Sequence, residues 1–340
     1  MTEEPSPKML WRAIKEKRFD DARALIESGV DTRISDKHDL TALDYAQLSG
    51  NIEFFKYVSR KNREKNVQTV MERFPALVEN FLTLPDFQMK FKWRVYSWIP
   101  FISAFCPKDE WKMTKVGSKL RIDTGLANWS GFRFTKGSVS VFFDASCPDM
   151  LDSFLAVDNV SGEKVSVLRE IIDSKDFDTD IDNLMNMDLL KGSIDVENIH
   201  RSCPKKLLRR KTKECVHDNF HATLFDFTNI KVKFKHYLCE DFGKDKKHLK
   251  PQYHEKTYSG KFWCSQDFPV QPYTLVPFLE ALAPFKDTAK NIINLLGLFD
   301  VGTPIKGEVF VFPTVRVEFQ FHDHNGNVDE YRNYVDRPEE

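Results

Sequence analysis

The sequence predicts an α+β chain in which a short N-terminal stack of paired helices is followed by a β-rich domain with a few helices. Three observations carry this. Apolar positions recur 33 residues apart within residues 10–58. From Phe87 to Val95 apolar and polar residues alternate strictly, the period of a half-buried strand. Beyond Trp111, short alternating runs separated by turn residues dominate.

The helical part rests on paired positions. Leu10 and Ala13 recur as Leu43 and Ala46, Phe19 as Ile52, and Leu25 as Val58. The second copy reads T-A-L-D-Y-A from Thr41 to Ala46, then Gly50-Asn51 between its helices. Period and motif together resemble the ankyrin repeat. The first copy keeps a Ser28-Gly29 turn and Asp31. Two repeats alone leave apolar faces uncovered, so residues 60–83 are expected to supply a degenerate third repeat or a cap. Val67, Val70, Met71 and Phe74 give that segment one apolar stripe. A second short helix, Ala76–Leu82, is expected after a break at Pro75. The division that follows is residues 1–83, ankyrin repeats plus cap, and residues 84–340, the β-rich domain.

The two parts meet at Leu84–Pro107. Phe87, Met89, Phe91, Trp93 and Val95 share one strand face; Gln88, Lys90, Lys92 and Arg94 share the other. An apolar run from Tyr96 to Cys106, interrupted by Pro100, follows. Further on, Phe132 and Phe134, then Thr135-Lys136-Gly137-Ser138, then Val139, Val141 and Phe143 read as a hairpin. Strands are expected near Val165–Leu168, Ala222–Phe227, Lys231–Tyr237 and Tyr258–Cys264, and helices after Thr274 and Pro284. A closing hairpin pairs Val309 and Val311 with Val315, Val317, Phe319 and Phe321. Residues 173–188 are rich in Asp and residues 204–213 in Lys and Arg, the composition of solvated insertions.

Bulk properties narrow the function. A net charge of −1 argues against holding nucleic acid or membrane by overall charge, so such a role needs a local patch. Six cysteines at wide spacings, without a C-x-x-C pair, fit reduced thiols in a cytoplasmic protein. No apolar run reaches the length of a membrane span.

Catalytic and metal signatures are weak. Asp123-Thr124-Gly125 resembles half of an aspartic-protease dyad, which needs a second carboxylate close by; a strand running into a turn gives the same letters. His322-Asp323-His324 offers metal-ligand chemistry without a third ligand at defined spacing. Phosphate-binding loops and hydrolase elbows are absent from the sequence. The expectation is a protein with no catalytic residues, no cofactor and no metal.

Four blocks resemble the ankyrin-repeat-domain-13 family, whose region after the repeats is called the GPCR-chaperone domain. The first runs from Pro85-Asp86-Phe87 through Met89, Lys92-Trp93, Ser97-Trp98 and Pro100. The second is Gly117, Leu120-Arg121 and Asp123-Thr124; the third is Lys256, Tyr258-Ser259, Trp263, Asp267-Phe268-Pro269, Leu275 and Pro277. Gly302, Pro304 and the strands after Lys306 resemble the closing block. The resemblance implies either a chaperone associated with the endoplasmic reticulum, holding new G-protein-coupled receptors, or an endosomal adaptor that sorts ubiquitinated receptors through C-terminal ubiquitin-interacting motifs. No acidic helix with the Ala and Ser of such motifs is seen, which favours the first mode.

Three candidate surfaces follow. Tyr96, Trp98, Ile99, Phe101, Ile102 and Phe105 offer apolar area for a client, or serve as core at a strand-to-helix bend. Asp36, Lys37, His38 and Asp39 form the turn before Thr41, where repeat tips contact partners. Lys205, Lys206, Arg209, Arg210, Lys211 and Lys213 offer an anionic-surface contact, or a solvated loop. The function expected is a non-enzymatic protein-binding, chaperone-like role in receptor biogenesis or trafficking, with a peripheral membrane or endosomal sorting adaptor, lipid- or ubiquitin-linked, as the alternative. Its expected place is the cytoplasm, peripheral to endoplasmic reticulum or endosome, and no nucleic-acid partner is expected.

Overall fold

Thr41 starts a helix through a capping box: its hydroxyl accepts from the Asp44 amide at 3.3 Å, and the Asp44 carboxylate accepts from the Thr41 amide at 2.7 Å. This helix, α3 (Ala42–Leu48), follows α1 (Pro7–Lys15) and α2 (Phe19–Glu27) and precedes α4 (Ile52–Thr83). The structure, a computed structural model, describes residues 4–97, 106–130, 133–173, 185, 187–205, 212–238, 251–283 and 287–338. The chain divides into two compact units. One comprises Met1–Thr69, Ser174–Ile194 and Val232–Lys256; the other comprises Val70–Asp173, Asp195–Lys231 and Thr257–Glu340.

The first unit corrects the expected N-terminal ankyrin helical stack. Three short helices and one 32-residue helix precede a large sheet, and a stack of repeated helical pairs is not evident. Of the eight apolar positions marked by the 33-residue period, Leu10, Ala13, Ala46 and Val58 are each within 1% of full burial, Phe19, Leu25 and Leu43 are half-buried, and Ile52 is exposed. What covers the buried ones is not a third repeat. Their core cluster is completed by Met185 and Tyr237, with Leu189 packed against it, all from segments far along the chain. Helix α4 also runs straight through Pro75. Residues 71–73 before it are exposed, so water can serve the carbonyl that the proline leaves without a donor.

Thirteen antiparallel strands make up the sheet. In chain order they are β1 (Phe87–Ser97), β2 (Lys108–Val116), β3 (Lys119–Ser130), β4 (Arg133–Asp144), β5 (Phe154–Asp158), β6 (Lys164–Ser166), β7 (Leu189–Asp195), β8 (His200–Ser202), β9 (Glu214–His217), β10 (Phe220–Tyr237), β11 (Gln252–Ser265), β12 (Thr303–Phe312) and β13 (Val315–Asn325). Their order is β6-β5-β4-β3-β2-β1-β13-β12-β11-β10-β7, with β8 and β9 also on β10. The predicted β1 thus sits near the middle, pairing with β2 and with the C-terminal β13. The closing hairpin forms as β12 and β13. The hairpin expected around Thr135–Ser138 does not. Those residues lie inside β4, and Gly137 with Ser138 falls opposite Gly125 where the β3–β4 register shifts, so the glycine marks a bulge rather than a turn.

One face of the sheet in the second unit is aromatic. Phe81 of α4 meets Phe143 of β4 edge-on at 4.9 Å, and Phe278 of α6 (Val276–Leu282) joins them. Phe87, Met89, Ala222, Phe268 and Ile305 form a second cluster, and Phe227, Phe262 and Cys264 a third, against Leu298 and Phe299. Two other α-helices among the described residues are α5 (Val167–Asp173) and α7 (Asp287–Leu296). Among the described residues, Cys147, Cys203, Cys215 and Cys264 are free thiols.

Candidate functional site

The polar face of the central strands follows from alternation and register. Pairings of β11 with β12, β12 with β13, β13 with β1, and β1 with β2 align side chains in rows across the sheet. One row is Trp263, Lys306, Gln320, Lys92 and Glu110; the next is Lys261, Glu308, Glu318, Arg94 and Lys108; a third is Ser259, Phe310, Arg316 and Tyr96. Six cations (Lys92, Arg94, Lys108, Lys261, Lys306, Arg316) face three carboxylates (Glu110, Glu308, Glu318) in a chain whose net charge is −1.

Glu318 organises the middle of this face. Its carboxylate accepts from Arg94 at 2.6 Å and also from Arg316. Burial pushes its carboxyl up, but the hydrogen bonds from the two guanidiniums outweigh that and hold it below 4.5. Both arginines lie over the Tyr96 ring, at 5.6 and 4.6 Å from its centre. Lys306 lies over Trp263 at 5.0 Å and Lys261 over Phe310 at 5.8 Å. A groove of about 380 Å³ opens here, lined by Lys92, Arg94, Lys306, Glu308, Arg316 and Glu318 among others. Glu318 at 16% exposure lies deep in it, whereas Arg94 stands 51% exposed.

The same sheet face is closed toward β3 and β4 by the C-terminal segment. Asp123 accepts from Arg121 at 2.9 Å, from Ser140 at 2.6 Å and from the Tyr334 hydroxyl. Lys112 and Arg121 both sit about 4 Å from the Tyr334 ring centre. Thr124 and Gly125 turn instead to Asp109, whose carboxylate accepts from the Thr124 hydroxyl at 2.5 Å and the Gly125 amide at 3.1 Å. Successive strand residues face opposite ways, so the Asp-Thr-Gly letters serve two separate networks. His322 and His324 are likewise split: His322 lies 3.4 Å from Glu110, while His324 stacks edge-on against Phe220. Among the described residues, no group of three or more His, Cys, Asp or Glu side chains could hold a metal.

The predicted surfaces are placed as follows. Tyr96 belongs to the charged face just described; Trp98, Ile99, Phe101, Ile102 and Phe105 lie outside the described residues. In the turn before α3, the Asp36 carboxylate accepts from the amides of His38 and Leu40 and from the Tyr45 hydroxyl at 2.6 Å. The His38 carbonyl accepts from the Tyr237 hydroxyl at 2.7 Å, Asp39 pairs with Lys235, and Lys37 is exposed. Lys205 and Lys213 are exposed; Lys205 bridges to Thr212 and the Lys213 amide donates to the Pro204 carbonyl. Lys206, Arg209, Arg210 and Lys211 lie outside the described residues. The rows on β11, β12 and β13 were missed by sequence reasoning. Alternation placed Lys92 and Arg94 together, but only the register brings Arg316, Lys306 and Lys261 to them.

The conspicuous sequence blocks build the fold. Asp86 accepts from the Lys115 ammonium at 2.9 Å and the Gly117 amide at 2.8 Å, tying the start of β1 to the β2–β3 turn. Gly302, at φ +119°, lies so close to the Ser265 carbonyl that a Cβ would stand 2.5 Å from its oxygen.

Fold and site together define a mainly β protein on one large antiparallel sheet, with an exposed face of cations and aromatics. Residues 121–253 match the family model described as ANKRD13 C-terminal. Ankyrin repeat domain-containing protein 13C-B of Xenopus laevis is 23% identical over 91% of this chain and 71% of its own length. The human protein 13C is 22% identical over 92% of this chain and 69% of its own, and human protein 13B is 30% identical over 36% and 20%. These matches support a relationship of the chain to the ankyrin repeat domain 13 proteins. A solved DUF1329 family protein from Desulfovibrio piger covers 79% of this chain and 99% of its own at 9% identity, with a TM-score of 0.21.

Proposed function

We propose that this chain is a non-enzymatic binding protein that holds other polypeptides, acting as a chaperone-like partner of membrane receptors, G-protein-coupled receptors among them, during biogenesis or trafficking. The observation that supports it most is the exposed face of β1, β2, β11, β12 and β13, where cations lie over the rings of Tyr96, Trp263 and Phe310 beside a groove. Such a surface can grip a chain by charge and ring contact without transforming it. The family-model match and the names of the relatives, which describe repeat-domain proteins and name no reaction, agree with this reading.

Tyr96, Trp98, Ile99, Phe101, Ile102 and Phe105 are the stretch proposed to meet the client, with Asp36, Lys37, His38 and Asp39 as a second surface. No helix among the described residues is long and apolar enough to cross a membrane. Contact with the endoplasmic reticulum or endosome is part of this proposal, as a peripheral association. Proximity labelling in cells tests the reading. Enrichment of newly made receptors supports it, and a labelled set without receptors or trafficking proteins sinks it.

A second reading is a membrane-surface adaptor acting through Lys205, Lys206, Arg209, Arg210, Lys211 and Lys213. The Lys205–Thr212 bridge favours it by drawing the ends of the basic run together. Flotation with anionic vesicles across a salt series separates the two, because headgroup binding collapses as salt rises.

A further inference from the structure

We propose that the polar face of β1, β2, β11, β12 and β13, with its groove on β1, β12 and β13, is a docking site for an acidic, extended polypeptide segment that lies across the strands. The proposal rests on the reading above and names the chemistry of what is held.

Charge supplies the first reason. Among the described residues, no carboxylate lies within ion-pair distance of Lys108, Lys261 or Lys306, although every other cation of the three rows has one. Lys108 on β2 and Lys261 on β11 stand at the two margins of the face, and Lys306 lines the groove on β12, over Trp263. A positive margin around a neutralised centre complements a partner whose acids reach both edges.

Preorganisation supplies the second. Arg94 and Arg316 are each fixed by Glu318 and by the Tyr96 ring, so their remaining N–H groups are held in place before any partner arrives. A guanidinium fork already oriented loses less entropy on meeting a carboxylate.

Shape selects the occupant. The floor at Glu318 is shielded while Arg94 rises above it, so a planar bilayer would touch the rims alone. An extended chain can enter. From Lys108 to Lys261 the row crosses four inter-strand gaps, roughly 19 Å at about 4.8 Å each. About six extended residues span that distance. Acidic residues about six apart would reach both lysines, and one between them would face the arginines.

Fluorescence anisotropy on the full chain tests this, with a fluorescein-labelled peptide of alternating Glu and Ser, about eight residues long, and its Lys–Ser counterpart. The Glu–Ser peptide is expected to bind with an affinity that weakens as salt rises, and the Lys–Ser peptide is expected not to bind. In the Lys108→Glu/Lys261→Glu variant, affinity should drop at least about tenfold with circular dichroism unchanged. If that variant proves misfolded, Lys108→Gln/Lys261→Gln should give a smaller loss in the same direction. Equal binding by wild type and folded variant overturns the proposal. So does binding to phosphatidylserine vesicles without binding to the peptide. If receptors are enriched in cells yet the peptide does not bind, the docking site fails and the functional reading survives. If the peptide binds and no receptor is enriched, the reading fails and the site stands.

Discussion

Arg94 and Glu318 face each other directly across β1 and β13, guanidinium to carboxylate at 2.6 Å, although 224 residues separate them in the chain. Arg316 takes the other carboxylate oxygen. Glu318→Gln should therefore lower stability by about 1 kcal/mol, the scale of charge-assisted hydrogen bonds at a partly exposed site. The sign with pH follows from a depressed carboxyl. Its contribution is present above 4.5 and disappears as pH falls through the lower folded value. Denaturant midpoints measured down an acid series should converge for wild type and variant at the acid end.

Lys115 is buried to 2% side-chain exposure, with its ammonium on Asp86 and over the Phe81 ring. Removing Asp86 leaves the buried ammonium without a carboxylate, held only by the Gly117 carbonyl at 3.0 Å and the Phe81 ring. Asp86→Ala should cost about 3 kcal/mol, and adding Lys115→Met should restore most of it. Equilibrium urea unfolding of the single and double variants checks the cycle; a double variant no better than the single would reject it.

Burial, then the bond to Asp123, pushes the Tyr334 hydroxyl up to about 12. Its neutral form is favoured by folding, so that contribution holds below 10 and is lost as pH climbs toward 12. In Asp123→Asn, spectrophotometric titration should find Tyr334 ionising at lower pH. Peptide binding on the open face should remain, since Asp123 touches none of its three rows.

At Gly302 both φ and space exclude a side chain. Gly302→Ala should destabilise by about 2–4 kcal/mol, the range of imposed backbone strain and overpacking. A thermal melt matching wild type would contradict the close approach to Ser265.

Residues 1–83 expressed alone lack Met185, Leu189 and Tyr237, which complete the helical core. That fragment should have weak helical circular dichroism and no cooperative melt, whereas the full chain melts cooperatively. A well-folded fragment would mean that the helices cover themselves.

The candidate face was half legible. Alternation on β1 put Lys90, Lys92 and Arg94 on one side, and the same rule applied to Arg316, Glu318 and Gln320 describes β13. Which strands would lie beside each other was not legible, because register is fixed by contacts between residues hundreds of positions apart. Gly137 was misjudged for a related reason: a glycine beside polar residues suits a turn or a bulge equally, and only pairing with β3 decides.

By itself the sequence determined what is local: the capping box at Thr41, the 33-residue spacing of apolar helix positions, and the alternation that makes β1 a strand with a charged side. Short-range hydrogen bonds and side-chain periodicity set these within a few residues of chain. Tertiary structure alone decided what covers the helices and how the cations gather. Tyr237 reaches the helical core, and Arg316 reaches Arg94, through burial and strand pairing between distant segments, whose free energy depends on the whole fold rather than on any stretch of letters.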